Sequence, residues 1–413
     1  MKRTQSFYIF DEKVNAGKMI FLSGPRQVGK TTFARSRLKE LGDAPLYFSW
    51  DDPYTRKEYT RNPHFLKAYL AKSKNPVPLV VFDEIHKHKN WKNILKGLYD
   101  LHKGEAQFMI TGSARLDYFR SSGDSLVGRF FSYKMLPLGL AEAAQKFSLI
   151  ADSDDIFAHP GPKKLLNLLQ RVNSEDFKKP FNYLMEFGGF PEPFLKKDKP
   201  FSVKWRRDYR SLLAKEEMRD LTRIHDIKGT EQLALLLPER IGAPLSVNSL
   251  REDLQVNHRT VANWIEAFKK IYLIFSVMPW SGSIANSIKK ESKVYFYDWT
   301  FISDVGVKFE NMTAVMLLRM VSRFNELGLG DFGLRYIRTK QKEEIDFLVI
   351  KDNKPFALFE AKKNQADIAR AGHHFSRFLK IPYYQLVCDI DTVEAYQNDK
   401  HVISAWRFFA ITG

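Results

Sequence analysis

The sequence predicts an α/β protein built on a parallel sheet, and three observations lead there. Short, largely apolar runs recur at Met19-Ile20-Phe21-Leu22, Leu46-Tyr47-Phe48, Leu79-Val80-Val81-Phe82 and Gln107-Phe108-Met109-Ile110. Helical patterns separate them, and strands alternating with helices give a parallel sheet covered on both faces. The runs are continuous rather than alternating, as strands buried on both sides require. The first run opens into a glycine loop, Gly24-Pro25-Arg26-Gln27-Val28-Gly29-Lys30-Thr31-Thr32, and a helix follows from about Lys30 to Leu41.

A chain of 413 residues predicts two to four domains. With 44% apolar residues, 33 of the total being Phe, each can bury a sizeable core. The net charge of +17, from 65 basic and 48 acidic residues, favours a polyanionic partner, nucleic acid or anionic membrane. The single cysteine, Cys388, excludes an internal disulfide and fits a reducing compartment. Met-Lys-Arg-Thr-Gln-Ser at the start has no apolar signal core, and no run approaches about 18 apolar residues. A cytoplasmic protein without a membrane span is therefore expected.

Residues 151–163, rich in Asp, Pro and Gly, read as a linker or loop. From about 164 to 235 the pattern is helical, broken by a turn at Gly188-Gly189-Phe190-Pro191. Two short helices and apolar strand candidates fill 236–305. From 306 a helix and a strand-turn-strand form what reads as a separate α/β domain.

Gly24, Gly29, Lys30 and Thr31 have the spacing of a P-loop, between a predicted strand and a predicted helix. Glycines let main-chain N–H groups wrap phosphate oxygens, and the helix start adds positive potential. Lys30 would reach the β- and γ-phosphates of ATP, and the Thr31 hydroxyl would ligate Mg2+. Asp83, ending the third strand, would hold Mg2+ through water, and Glu84 would act as general base. Ser113 or Thr111, after the fourth strand, would sit between these motifs and meet the γ-phosphate or the attacking water; a plain strand-ending turn is the other reading. Arg115, Arg120 and Arg129 follow. Arg129 is the preferred arginine finger for a neighbouring subunit's site, which would imply a dimer or ring; a surface arginine is the alternative. Lys87, His88 and Lys89 read as a solvated loop, and the acid pair Asp83-Glu84 fits an ATPase better than a P-loop kinase.

The glycine loop, Asp83-Glu84-Ile85-His86-Lys87, Thr111-Gly112-Ser113, Gly128-Arg129 and Leu136-Pro137-Leu138 together resemble a prokaryotic family of AAA-type ATPases. Gly188-Gly189-Phe190-Pro191-Glu192 and Trp299 to Asn311 extend the likeness over nearly the whole chain. His86 departs from the Gln common there. The resemblance implies an AAA-type core (1–150), a helical lid (151–235), a winged helix (236–305) and a nuclease-like end (306–413), with no agreed cellular role.

Leu245 to Leu254 reads as a capped helix, Gln255-Val256-Asn257 as a turn, and His258 to Phe268 as a second helix. Val261, Trp264, Ile265 and Phe268 share one buried face at helical spacing. Asn257, His258, Arg259 and Asn263 would face outward, where a recognition helix meets DNA. Ile271 to Phe275 would begin the wing. A winged helix used only for packing is the alternative.

Glu344 to Ile350 and Phe356 to Lys362 read as a hairpin across a polar turn. Asp346 lies on the first strand; Glu360 and Lys362, two apart, share a face of the second. Converging, they would bind Mg2+ through Asp346 and Glu360 and position water for phosphodiester hydrolysis. The spacing resembles the PD-(D/E)XK nucleases, with Ile345 where Pro is frequent, and the resemblance adds Glu310 to the set. Gln385 is left out. An active nuclease and an inactive relic both stay open. The combined reading is an ATP-hydrolysing protein acting on DNA; the alternative is a nucleotide-dependent switch for a protein partner.

Overall fold

The computed structural model describes residues 1–112, 126–158, 162–218, 226–280, 291–339, 341–364, 367–396 and 399–412. Two units divide the chain, Lys2–Leu136 and Pro137–Gly413, and each is described by itself. Among the described residues no helix is long and apolar enough to cross a membrane.

In the first unit the four apolar runs become β1 (Met19–Ser23), β2 (Tyr47–Ser49), β3 (Leu79–Asp83) and β4 (Gln107–Thr111). Every residue of β1 and β3 is buried, as double-sided coverage demands. A fifth strand, β5 (Phe130–Lys134), joins at the edge and was not evident from sequence. Its mixed exposure is that of an edge strand, with only Tyr133 fully buried. The order is β2-β3-β4-β1-β5, and all neighbours are parallel. Aromatic rings knit the β2-β3-β4 side: Phe82 stacks on Phe108 at 6.1 Å, and Phe48 meets Phe65 edge-on at 5.0 Å. The helix Lys30–Leu41 leaves the C-terminal edge of β1, where α/β sheets place their ligands.

The second unit holds an eight-stranded sheet, β12-β13-β11-β10-β9-β8-β6-β7. Its strands are β6 (Ile274–Pro279), β7 (Lys293–Phe296), β8 (Phe332–Arg338), β9 (Glu344–Lys351), β10 (Lys354–Lys362), β11 (Tyr383–Val387), β12 (Val393–Tyr396) and β13 (Lys400–Ser404). The β9–β10 hairpin lies where the sequence places it. Asp352 and Asn353 at its tip both take positive φ, the tight-turn geometry that matches strand twist. The strands expected as a wing, β6 and β7, pair antiparallel, and β6 also pairs with β8. The sheet is therefore continuous across residues 305 and 306.

The helix Val305–Glu326 packs along β7 to β10 and is buried almost all round. Its Asn311 replaces a missing strand neighbour, accepting from Phe296 N at 2.9 Å and donating to Phe296 O at 2.7 Å. From the same helix the buried Arg319 donates to Pro137 O at 2.6 Å and pairs with Glu142 at 3.0 Å. The Glu142 side chain is fully buried and also accepts from Gly139 N at the start of the helix Leu140–Ala144.

The sequence reads 151–163 as a loop; the structure instead builds the helix Ile150–Ala158. Its polar composition hides two anchors. Phe157 packs on Phe324 at 5.1 Å, and Asp154 pairs with Arg323. Tertiary burial here overrides local propensity.

Substituting Arg319→Met strands a buried carboxylate, which costs about 3–5 kcal/mol. Denaturant unfolding is expected to show that loss, with a smaller one for Arg319→Lys, which keeps the charge but loses the forked geometry.

Candidate nucleotide site and carboxylate cluster

Backbone geometry shapes the glycine loop first. Gly24 has φ +146°, and a Cβ there would lie 2.1 Å from Met135 O, so no other residue fits without moving the strand beside it. Gln27 takes φ +57°, and Gly29, φ +101°, caps the helix Lys30–Leu41. Pro25 and Val28 are buried, Arg26 half-buried, and Gln27, Thr31 and Thr32 exposed. The buried Lys30 Nζ donates to Gly24 O at 2.9 Å and Pro25 O at 2.6 Å, which holds the ammonium within the loop.

Asp83 joins the loop to the rest of the site. It accepts from Thr31 Oγ1 at 3.0 Å, from Thr111 Oγ1 at 2.5 Å and from the Tyr47 hydroxyl. Tyr47, which no motif singles out, has its pKa raised by burial and by Asp83. Glu84 adopts a left-handed backbone, φ +57°, uncommon for this residue type, with its N–H bonded to Thr111 O. Its carboxylate lies 3.3 Å from His86 Nε2 and 3.6 Å from Lys87 Nζ. Burial raises the Glu84 pKa, opposed by Lys87 and Lys30. Lys87 also pairs with Asp51 at 2.5 Å at the exposed surface.

The structure thus brings Lys30, Thr31, Asp83, Glu84 and Thr111 to one edge of the sheet. Arg129 is elsewhere: it precedes β5 at the opposite end of β1 and holds Asp100 through two contacts, 3.1 and 3.3 Å. Ser113, Arg115 and Arg120 lie outside the described residues. A glycine loop opening into a helix N-terminus, one buried ammonium and a hydroxyl–carboxylate pair fit a triphosphate with its divalent cation.

In the second unit Glu310, Asp346, Glu360 and Lys362 gather into one cluster, joined by residues that motif spacing misses. Lys293 Nζ, fully buried, lies 2.5 Å from Glu344, 3.3 Å from Glu310 and 3.7 Å from Asp346. Tyr295 donates to Glu310 at 2.7 Å. Glu360 pairs with Lys362 at 2.6 Å and accepts from Tyr383 at 2.8 Å; Asp346 accepts from Ala361 N at 3.0 Å. Gln385 stands beside Glu360 in the sheet register, and Tyr383 donates to its Oε1 at 3.2 Å. Burial, then Asp346, raises the pKa of Glu360. The set does not fit a resident divalent ion on Asp346 and Glu360, because protein donors and an ammonium already take their oxygens. Among the described residues no three carboxylates, imidazoles or thiols converge as a metal ion requires.

The first unit is a parallel sheet with one strand between the glycine-loop strand and the acidic strand, the arrangement of a P-loop domain. Residues 16–144 match the family model described as AAA domain, and residues 178–306 match Domain of unknown function (DUF8612). The uncharacterized protein MJ1544 of Methanocaldococcus jannaschii is 25% identical over 380 residues, 89% of this chain and 80% of its own. The uncharacterized protein Rv2008c of Mycobacterium tuberculosis is 22% identical over 84% of this chain and 70% of its own. Among solved structures, the Aeropyrum pernix ORC1 protein in complex with DNA shares 15% identity over 74% of this chain and 88% of that one, at a TM-score of 0.28. Likeness at that level is no guide to what this chain does.

Gly24→Ala is expected to weaken binding of a fluorescent ATP analogue about tenfold or more, the equivalent of about 1.4 kcal/mol. Titration by anisotropy reads the change, and an unaltered affinity would remove Gly24 from the cradle.

Proposed function

We propose that the protein binds and hydrolyses ATP and couples that cycle to contact with DNA. The observation that carries the reading is Asp83 held jointly by the Thr31 and Thr111 hydroxyls beside the glycine loop. Thr31 and Asp83 would hold Mg2+, which when bound supplies charge neutralisation on the phosphates. Lys30 would exchange its neutral loop carbonyls for charged phosphate oxygens, which are the stronger acceptors. Glu84 would take the proton of the attacking water, and a carboxyl with a raised pKa suits that task. An arginine finger in a dimer or ring would require Arg129 to leave Asp100.

The DNA contact is assigned to the helices Val247–Leu254 and His258–Lys270; β6 and β7, expected as a wing, belong instead to the eight-stranded sheet. Ser246 and Asn257 cap the two helices. Val261, Trp264, Ile265 and Phe268 are buried, while Asn257, His258, Arg259 and Asn263 stand exposed at the second helix's start. The chain's charge of +17 favours phosphate contact. The β9–β10 hairpin, with Glu310, Asp346, Glu360 and Lys362 gathered on it, supports a nuclease-like reading of this region. The ammonium of Lys293 in its midst favours the second reading at one point: a nuclease-like domain that does not cleave, in a nucleotide-dependent switch for a protein partner.

Glu84→Gln is expected to lower turnover about a hundredfold or more while ATP binding persists. Turnover needs ionised Glu84 and so falls as pH drops through its pKa. Burial holds that pKa above 4.5, which puts the acid limb of the kcat profile above the ordinary glutamate range. Unchanged hydrolysis by the variant would reassign the base.

Duplex DNA is expected to bind with an affinity that falls steeply as salt rises, and Arg259→Ala to reduce that log–log slope by about 1. Filter binding across a salt series measures both. Salt-indifferent affinity removes the phosphate contact, and turnover unmoved by DNA favours the switch over the DNA-coupled machine.

A further inference from the structure

The cluster around Lys293 has an electrostatic logic of its own, independent of the nucleotide site. Four carboxylates, Glu310, Glu344, Asp346 and Glu360, face three cations, Lys293, Arg338 and Lys362. The Lys293 side chain is wholly buried, and the three carboxylates around it are each only 16–22% exposed. A buried ammonium persists only when paired. Three carboxylates within 3.7 Å supply that pairing. Tyr336 offers its ring face to the same ammonium at 5.6 Å.

The Lys293 ammonium sits between Glu310, Glu344 and Asp346, at 3.3, 2.5 and 3.7 Å. A segment before β6 lies against one side of the cluster. Gly242, φ +85°, lies so close that a Cβ would come within 3.1 Å of Glu310 Oε2. Three residues on, Leu245 N bonds Ser292 O, and Pro244 pairs with Lys293 itself. The lysine's backbone is thereby fixed between that segment and β6.

We propose that Lys293 is a built-in cation standing in the place of a divalent metal, so that the cluster is complete without one, and that removing its charge turns the cluster into a divalent-cation site.

The test uses full-length, nucleotide-free protein stripped with EDTA, and Mn2+ as probe, counted by electron paramagnetic resonance. Wild type and Asp346→Asn are expected to bind Mn2+ alike, with no Asp346-dependent ion. Lys293→Gln is expected to gain one ion per chain that Lys293→Gln/Asp346→Asn loses, and Mn2+ should raise its melting temperature by a few degrees while leaving wild type unmoved. Lys293→Arg, which keeps the charge, should gain none. An Asp346-dependent ion in wild type, or a folded Lys293→Gln that gains none, overturns the proposal. If Lys293→Gln does not accumulate as folded protein, the comparison of wild type with Asp346→Asn decides: an ion lost with Asp346 refutes the exclusion, and equal binding upholds it.

Discussion

The nucleotide site hangs on one buried carboxylate. Asp83 ends a strand whose every residue is buried, where an unpartnered anion would be costly. Three hydroxyls relieve that cost, each from a different element: Tyr47 on β2, Thr111 on β4 and Thr31 on the helix after the glycine loop. Strand order makes them neighbours. Asp83 lies in register with Ser49 on one side and Thr111 on the other, and Thr111 in turn with Leu22, one residue from the end of β1. With β4 between β1 and β3, the glycine loop and the acid sit one strand apart, and the Thr31 hydroxyl spans the distance to Asp83.

The same edge holds several residues of left-handed backbone. Gly24, Gln27, Gly29 and Glu84 all take positive φ, and two of the four are not glycine. Residues held so against their preference persist where the surrounding structure over-determines them, and such places cluster at functional sites. The Glu84 N–H bonded to Thr111 O supplies part of that determination, turning the acid out of the strand direction toward His86 and Lys87. The same bond ties the two acids, adjacent in sequence, to one residue of β4.

What was legible in the sequence is what local backbone physics dictates. A loop needing positive φ writes its glycines into the chain, and strands covered on both faces write continuous apolar runs; β1 to β4, the capped helices after Ser246 and Asn257, and the β9–β10 hairpin could all be read for such reasons. β5 could not, because an edge strand with a mixed face carries weak periodicity. Nor could the helix Ile150–Ala158, whose acidic composition is offset only by Phe324 and Arg323, far along the chain. Lys293 and Tyr47 escaped for the same reason. A lysine on a short strand or a tyrosine at a strand's start acquires meaning only from the carboxylate that the fold sets beside it.

The two buried lysines show how environment divides one side chain between opposite roles. Lys30 is held by neutral main-chain carbonyls of its own loop, which attract an ammonium without neutralising it. Phosphate oxygens carrying full negative charge would compete well for it, since charge-assisted bonds are the stronger kind. Lys293 is ringed by carboxylates, one at 2.5 Å, in a site largely closed to water. Its attraction is already satisfied by full charges in a low-dielectric setting, and moving it would strand those anions. A lysine buried among dipoles is therefore poised to bind an anion, whereas one buried among anions substitutes for a metal. Burial alone does not distinguish them; the formal charge of the nearest oxygens does.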